Sequence, residues 1–231
     1  MRQIVLDTET TGLEAGKGHR IIEIGCIELV ERRPSGKRFH RYLNPQRPVD
    51  EGARAVHGIS DEFLADKPRF AEVAGEFLEF IAGAELVIHN AAFDVGFLDA
   101  ELARVDPGLG RMSDHAGVLD TLALAREKFP GQRISLDALC KRLNIDNRHR
   151  ELHGALLDAQ LLADVYLAMT GGQGDLGLAS VQAATSARVA AGAVVRSSLC
   201  VRRASDAEMA QHAARLQAID KASKGRCLWR A

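Results

Sequence analysis

The segment Ile4-Val5-Leu6-Asp7-Thr8-Glu9-Thr10-Thr11-Gly12 passes from three apolar residues to two carboxylates within six positions. The apolar run reads as a buried strand and its polar end as an exit from the sheet. Side chains alternate along a strand, so Asp7 and Glu9 project from one face while Thr8 points away. Two carboxylates side by side repel each other unless a cation joins them. A hard divalent ion such as Mg²⁺, which takes oxygen ligands and few carboxylates, is the natural partner. A solvated strand end is the plain alternative, and an isolated Asp-x-Glu does not exclude it. The following Thr10-Thr11-Gly12 adds an inflection suited to holding a ligand near the backbone.

Working outward, the chain alternates strand and helix signals, which predicts an α/β fold. Ile21–Val30 reads as a strand, and a turn at Pro34-Ser35-Gly36 leads into another at 39–43. With the first strand these form an antiparallel meander. Helical spacing of Phe70, Val73, Ala74, Phe77, Leu78 and Ile81 predicts a helix there. A buried strand at 86–88, a helix over Ala91–Val105 and a short strand at 118–119 follow. Helices are then expected at 121–129, at Leu136–Leu143 with Ser135 as N-cap, and at 154–169.

Two further polar clusters fall at element boundaries. Asn90-Ala91-Ala92-Phe93-Asp94 directly follows the 86–88 strand. Asn90 can cap the next helix, and Asp94 falls in its first turn, where the dipole favours an anion. Both roles can be purely structural, yet the carboxyl end of a strand is where open α/β sheets put their sites. The other cluster is His153-Gly154-Ala155-Leu156-Leu157-Asp158. In one regular helix, five residues would separate His153 from Asp158 by about 140°. Gly154 lets the chain enter the helix after His153, leaving the histidine on a loop and Asp158 held rigidly. A lone histidine is more often structural than catalytic, but its ordinary pKa suits a general base near neutrality.

The 231 residues carry 30 basic and 31 acidic side chains, a formal net charge of −1. That near-neutrality hides a division: residues 179–231 carry net +6 and residues 1–178 net −7. The basic segment has no proline and one aromatic residue, Trp229, and is rich in alanine. It cannot bury a core alone and reads as a flexible tail, joined through a linker after Thr170-Gly171-Gly172. Four scattered cysteines, Cys26, Cys140, Cys200 and Cys227, read as reduced thiols in a cytosolic protein. No apolar run approaches the roughly 18 residues of a membrane span. Met1-Arg2-Gln3 and the short run after it lack the length and cleavage pattern of a signal peptide.

Taken in order, DTETTG, NAAFD and HGALLD resemble the three motifs of the DEDD superfamily of 3′–5′ exonucleases, in its histidine-bearing branch. VHGIS (56–60), AELVIHNAAFD (84–94), SLDALC (135–140) and HGALLDAQLLADVYLAMTGGQ (153–173) extend the resemblance to proofreading subunits of bacterial DNA polymerase III, as does the ending at 227–231. It covers nearly the whole chain, least at 100–118 and 179–223.

The resemblance implies a ribonuclease H-like mixed five-stranded sheet flanked by helices, with a partly helical tail. It implies an exonuclease domain over 1–172 that holds two Mg²⁺ or Mn²⁺ ions. Asp7 would bridge both ions, Glu9 and Asp158 would complete one, and Asp94 would support the other. His153 would be the general base that releases a deoxynucleoside monophosphate. Thr10, Thr11, Gly12 and His57 would contact the substrate, a frayed or single-stranded DNA 3′ end, together with Asp7, Glu9 and Asp158. One departure falls at 51–52: Gly52 stands before Ala53 where relatives often carry Glu, and Glu51 lies one position earlier.

Gln173, Leu176 and Leu178, within 173–178, resemble the short peptide that docks on the sliding clamp. Ser205-Asp206-Ala207-Glu208 has capping-box form, and Met209, Ala213, Leu216 and Ile219 make a narrow apolar stripe. By resemblance the tail at 179–231 binds the polymerase α subunit, with Trp229 as an anchor and a small accessory subunit as a further partner. The location implied is the cytoplasm. Two alternatives remain: an exoribonuclease of the same superfamily, since these residues do not read the sugar, and a non-catalytic scaffold between polymerase and clamp. A clamp peptide and a partner helix speak against the first. The presence of all four carboxylates and His153 speaks against the second.

Overall fold

The computed structural model describes residues 1–148, 152–171, 204–223 and 225. The chain divides into two units, Met1–Leu176 and Gly177–Ala231.

In the first unit five strands form one sheet: β1 (Arg2–Thr10), β2 (Ile21–Val30), β3 (Arg33–Tyr42), β4 (Glu85–Ile88) and β5 (Gly117–Asp120), in the order β3-β2-β1-β4-β5. β1, β2 and β3 are antiparallel neighbours, whereas β1 pairs in parallel with β4, and β4 with β5. The sheet is thus mixed, and β1 lies at its centre. Eight helices of this unit are described: α1 (Glu51–His57), α2 (Asp61–Leu64), α3 (Phe70–Ile81), α4 (Ala91–Val105), α5 (Met112–His115), α6 (Thr121–Lys128), α7 (Leu136–Leu143) and α8 (Ala155–Thr170).

Alternation along β1 sorts the core into two layers. Ile4 and Leu6 pack with Phe70, Phe77 and Phe97 of α3 and α4 on one face. Val5 packs with Leu139, Leu162 and Val165 of α7 and α8 on the other. A strand covered on both faces has no solvent side, which is why 4–6 is wholly apolar. Emptying either layer, for instance by Phe77→Ala, would cost about 3–5 kcal/mol.

The meander forms, but its turn from β2 to β3 is not at Pro34-Ser35-Gly36. Val30 pairs with Arg33, and the two-residue turn between them is Glu31-Arg32, with φ of 48° and 63°. Both positive values are what a tight hairpin needs to match strand twist. Pro34 and Gly36 lie inside β3, an edge strand where a missing N–H is tolerated. A second irregularity bears on the site. The β1–β2 register slips between Glu9 and Thr10, so that Glu9 faces Glu23 and Thr10 faces Ile21. The extra residue, Ile22, turns to Val49 and Leu64 in a small separate cluster. Such a bulge bends the strand end and re-aims its side chains.

Gly25, opposite Asp7 in the ladder, fixes the seat of α8. A β-carbon on Gly25 would lie 2.3 Å from the Ala155 carbonyl carbon and the Leu156 nitrogen. Only a bare backbone lets the first turn of α8 rest on the sheet beside Asp7. Ser135 caps α7, accepting from the Ala138 amide at 3.3 Å.

In the second unit, α9 (Asp206–Ala222) is a 17-residue helix that opens with a closed capping box. Ser205 accepts from the Glu208 amide at 3.3 Å, and Glu208 accepts from the Ser205 amide at 2.8 Å. None of its side chains is buried. Among the described residues, no helix is long and apolar enough to cross a membrane.

Candidate active site at the end of the central strand

The sheet and two helices bring the predicted residues to one cleft of about 420 Å³, lined among others by Asp7, Glu9, Asp94, His153 and Asp158. Asp7 and Glu9 come from the end of β1, Asp94 from the first turn of α4, and Asp158 from the first turn of α8. Ligand-capable atoms of Glu9, His153 and Asp158 all lie within 4.8 Å of one another. His153 precedes α8, and Gly154 is extended with φ −158° and ψ 126°. The extended link folds His153 back, so its Nδ1 lies 3.3 Å from Asp158 Oδ2. Removing the histidine from the helix abolishes the angular separation that a continuous helix would impose.

Asp94 is held from the face of β1 that sequence reasoning set aside. Thr8 Oγ1 donates to Asp94 Oδ1 at 2.7 Å. The site therefore uses both faces of the strand end: Asp7 and Glu9 from one, Thr8 through Asp94 from the other. Asp94 is 3% exposed. Burial pushes its pKa up to about 7, against the opposing pull of the Thr8 hydroxyl and nearby amides, with Asp120 adding to the rise. Asn90 occupies the N-cap position of α4 but makes no side-chain cap hydrogen bond; it is left-handed, with φ 64°. Its amide instead donates to Asp120 Oδ1 at 3.1 Å, and the same oxygen caps α6 through the Leu122 amide at 2.8 Å.

A second cavity of about 460 Å³ adjoins the first, sharing Thr8, Glu9 and Phe93 with it and bounded by Thr10, Gly12, Gly52, Ala53, Val56 and His57. Thr11 does not line it. Its side chain is fully buried, within 3.1 Å of His19 Nδ1 and accepting from the Arg20 amide at 3.0 Å. The Thr11 carbonyl accepts from the Asp50 amide at 3.0 Å, tying this loop to the start of α1. Gly52 opens onto the cavity wall and Glu51 does not. His57 is buried, and its Nδ1 accepts from the Ile59 amide at 3.0 Å. Its Nε2 makes no hydrogen bond within the protein. Burial holds the His57 pKa below the ordinary imidazole range, the Thr10 carbonyl and Glu23 draw it up, and His153 pushes it down. Below the sheet end, burial and the Asp7 charge push the Cys26 thiol up. Cys26 and Cys140 are both buried.

Thr8 and α1 are the parts sequence reasoning missed. The signal for Thr8 was its place between two candidate ligands. Gln173, Leu176, Leu178 and Trp229, and most of the tail, lie outside the described residues.

The donor set fits a divalent cation: carboxylate oxygens with one imidazole, and a buried carboxyl whose ionisation needs a compensating positive charge. A mixed sheet of this order with carboxylates gathered at its central strand defines the ribonuclease H-like, metal-dependent exonucleases. The sequence model of the exonuclease family (RNase_T) matches residues 4–166. DNA polymerase III subunit epsilon of Escherichia coli (strain K12) is 54% identical over 239 residues, covering 100% of this chain and 98% of the relative. The subunit of the same name from Pasteurella multocida (strain Pm70) is 50% identical, covering 99% and 93%. Among solved structures, Exonuclease X in complex with 5′ overhanging duplex DNA aligns with TM-score 0.59 and 26% identity, over 75% of this chain and 93% of that one. The chain belongs to the DNA polymerase III epsilon-subunit family within the exonuclease family: it is a divalent-metal-dependent 3′–5′ exonuclease of the proofreading kind.

Proposed function

We propose that this chain removes mispaired 3′-terminal nucleotides as deoxynucleoside monophosphates while assembled with its replicative polymerase. The convergence of Asp7, Glu9, Asp94, His153 and Asp158 on one cleft beside a nucleoside-sized cavity carries this reading. Asp7, Glu9 and Asp158 would hold one Mg²⁺ or Mn²⁺, and Asp7 with Asp94 a second. Such a pair supplies charge to the attacking and leaving oxygens of an in-line displacement. Around it the chain's own residues do the rest. Thr10, Gly12, Val56 and His57 seat the terminal nucleoside, and Thr11 braces that loop from behind. A neutral His57 donates from Nε2, since its Nδ1 is engaged by Ile59. His153, half-exposed and beside Asp158, takes the proton of the attacking water, and the Asp158 carboxylate orients and steadies the imidazolium that results. An unpaired end is favoured because it costs least to pull from the stack.

The tail at 179–231 binds the polymerase α subunit. Support comes from its +6 charge and from α9, a capped helix with exposed Met209 and Ile219, which an apolar groove would complete. Residues 173–178 dock weakly on the sliding clamp, a small accessory subunit joins the assembly, and the whole works in the cytoplasm.

The decisive experiment is degradation of a primer with a mismatched 3′ end, DNA against RNA, with and without Mg²⁺. Release of deoxynucleoside monophosphates only from DNA and only with the metal is expected. Faster trimming of RNA would replace this reading with the exoribonuclease.

A further inference from the structure

Of the five residues around the cleft, His153 alone stands outside a strand or helix, and two contacts tie its segment to α1. The His153 amide donates to the Val56 carbonyl at 3.1 Å. One residue earlier, Leu152 lies against Gly58, the left-handed residue (φ 72°) that ends α1. A β-carbon on Gly58 would come within 2.6 Å of Leu152 Cδ1. Leu152 is 52% exposed, so this is not core burial: an apolar side chain in an open position rests on a bare stretch of backbone.

The same helix forms the wall of the nucleoside cavity through Gly52, Ala53, Val56 and His57. Val56 thus both lines the cavity and holds the histidine segment with its carbonyl. α1 is only seven residues long, and Asp50 at its N-cap makes no side-chain cap hydrogen bond. Its position therefore depends on what it packs against.

We propose that α1 couples occupancy of the cavity by the 3′-terminal nucleoside to the placement of the His153 imidazole, with Leu152 and Gly58 as positioning residues. A nucleoside pressing on Val56 and His57 fixes α1, and α1 fixes the segment at 152–153 from its two anchors. A base displaced by about 1 Å loses roughly 100-fold in rate, so a base set only when the cavity is filled spares correctly paired ends that never enter it.

The inference rests on the assignments of the cavity and of His153 made above, and the test separates them. In the full-length chain with Mg²⁺, the His153 imidazole NMR resonance, identified by its absence in His153→Gln, is followed while dTMP is added. Wild type should show a dTMP-dependent shift. Leu152→Ala, at a half-exposed position, should still bind dTMP but lose the response of His153. On a single-stranded oligonucleotide it should lower kcat about tenfold with KM unchanged, and Leu152→Met should restore kcat. In a His153→Gln background, Leu152→Ala should cost nothing more, because the two changes remove one interaction. An equal His153 response in wild type and Leu152→Ala, or additive losses of kcat, would overturn the coupling. Failure of dTMP to bind wild type, or full turnover in His153→Gln, would instead bring down the underlying assignments and the coupling with them.

Discussion

Asp94 and Asp158 make an instructive pair. Both sit in the first turn of a helix, and both are 3% exposed. They approach the end of β1 from opposite faces of the sheet. Asp94 is met by a neutral hydroxyl, Thr8. Asp158 is met by an imidazole that can become cationic, His153. Burial and the dipole of a helix start are common to the two, so the difference lies in the partner. One carboxyl meets a hydroxyl; the other meets a basic ring nitrogen.

Asp158→Ala should have the largest effect, loss of Mg²⁺-dependent nuclease activity by far more than roughly 100-fold, the upper end for an outer-shell change. Far-ultraviolet circular dichroism should remain as in wild type. Full activity would remove Asp158 from the metal set.

Next comes the stability of the metal-free protein. The folded pKa of Asp94, about 7, lies above its unfolded value. Its contribution to stability is therefore fully present below the unfolded pKa near 4 and is lost as pH rises through about 7, by about 4 kcal/mol at most. Urea midpoints of wild type should fall between pH 4 and 8, those of Asp94→Asn should fall less, and Mg²⁺ should restore wild type at pH 8. Parallel profiles of the two proteins would show that Asp94 does not carry the strain.

His153→Ala should lower kcat by about 100-fold and flatten its rise with pH near neutrality. An unchanged pH profile would place the base elsewhere. The smallest effect is expected at Thr8→Val, which keeps the shape of the side chain and deletes its hydroxyl. Metal affinity should drop about tenfold, read by the Mn²⁺ concentration that gives half-maximal rate. No change would mean that Thr8 merely fills space. Comparing Thr8→Val with His153→Ala then asks directly whether the two carboxyls differ through their partners.

The legible parts of the fold were those with strong local periodicity. The helices at Phe70–Ile81, Ala91–Val105 and Leu136–Leu143 and the strand Ile21–Val30 have these bounds in the structure. The turn at Glu31-Arg32 was misplaced because neither residue is a usual left-handed type, while Pro34-Ser35-Gly36 offers every familiar turn residue. α1 went unread because seven residues of mixed character show no periodicity. It is nonetheless the wall of the cavity and an anchor of His153. Asn90 was read by residue type as a cap, whereas its backbone turns left-handed and Asp120 engages its amide.

The sequence alone determined where each candidate group stands locally: Asp7 and Glu9 on one side of a strand end, Asp94 and Asp158 in first helical turns, His153 just outside a helix. These placements follow from residue type and the fixed periods of strand and helix, which depend only on near neighbours. Tertiary structure decided what meets what. The Thr8 bond to Asp94 spans 86 residues, and the hold of Val56 on the His153 amide joins parts of the chain still further apart. Separations of that kind are set by how helices seat on the sheet, and here by a glycine opposite Asp7 whose missing side chain lets α8 come down beside it.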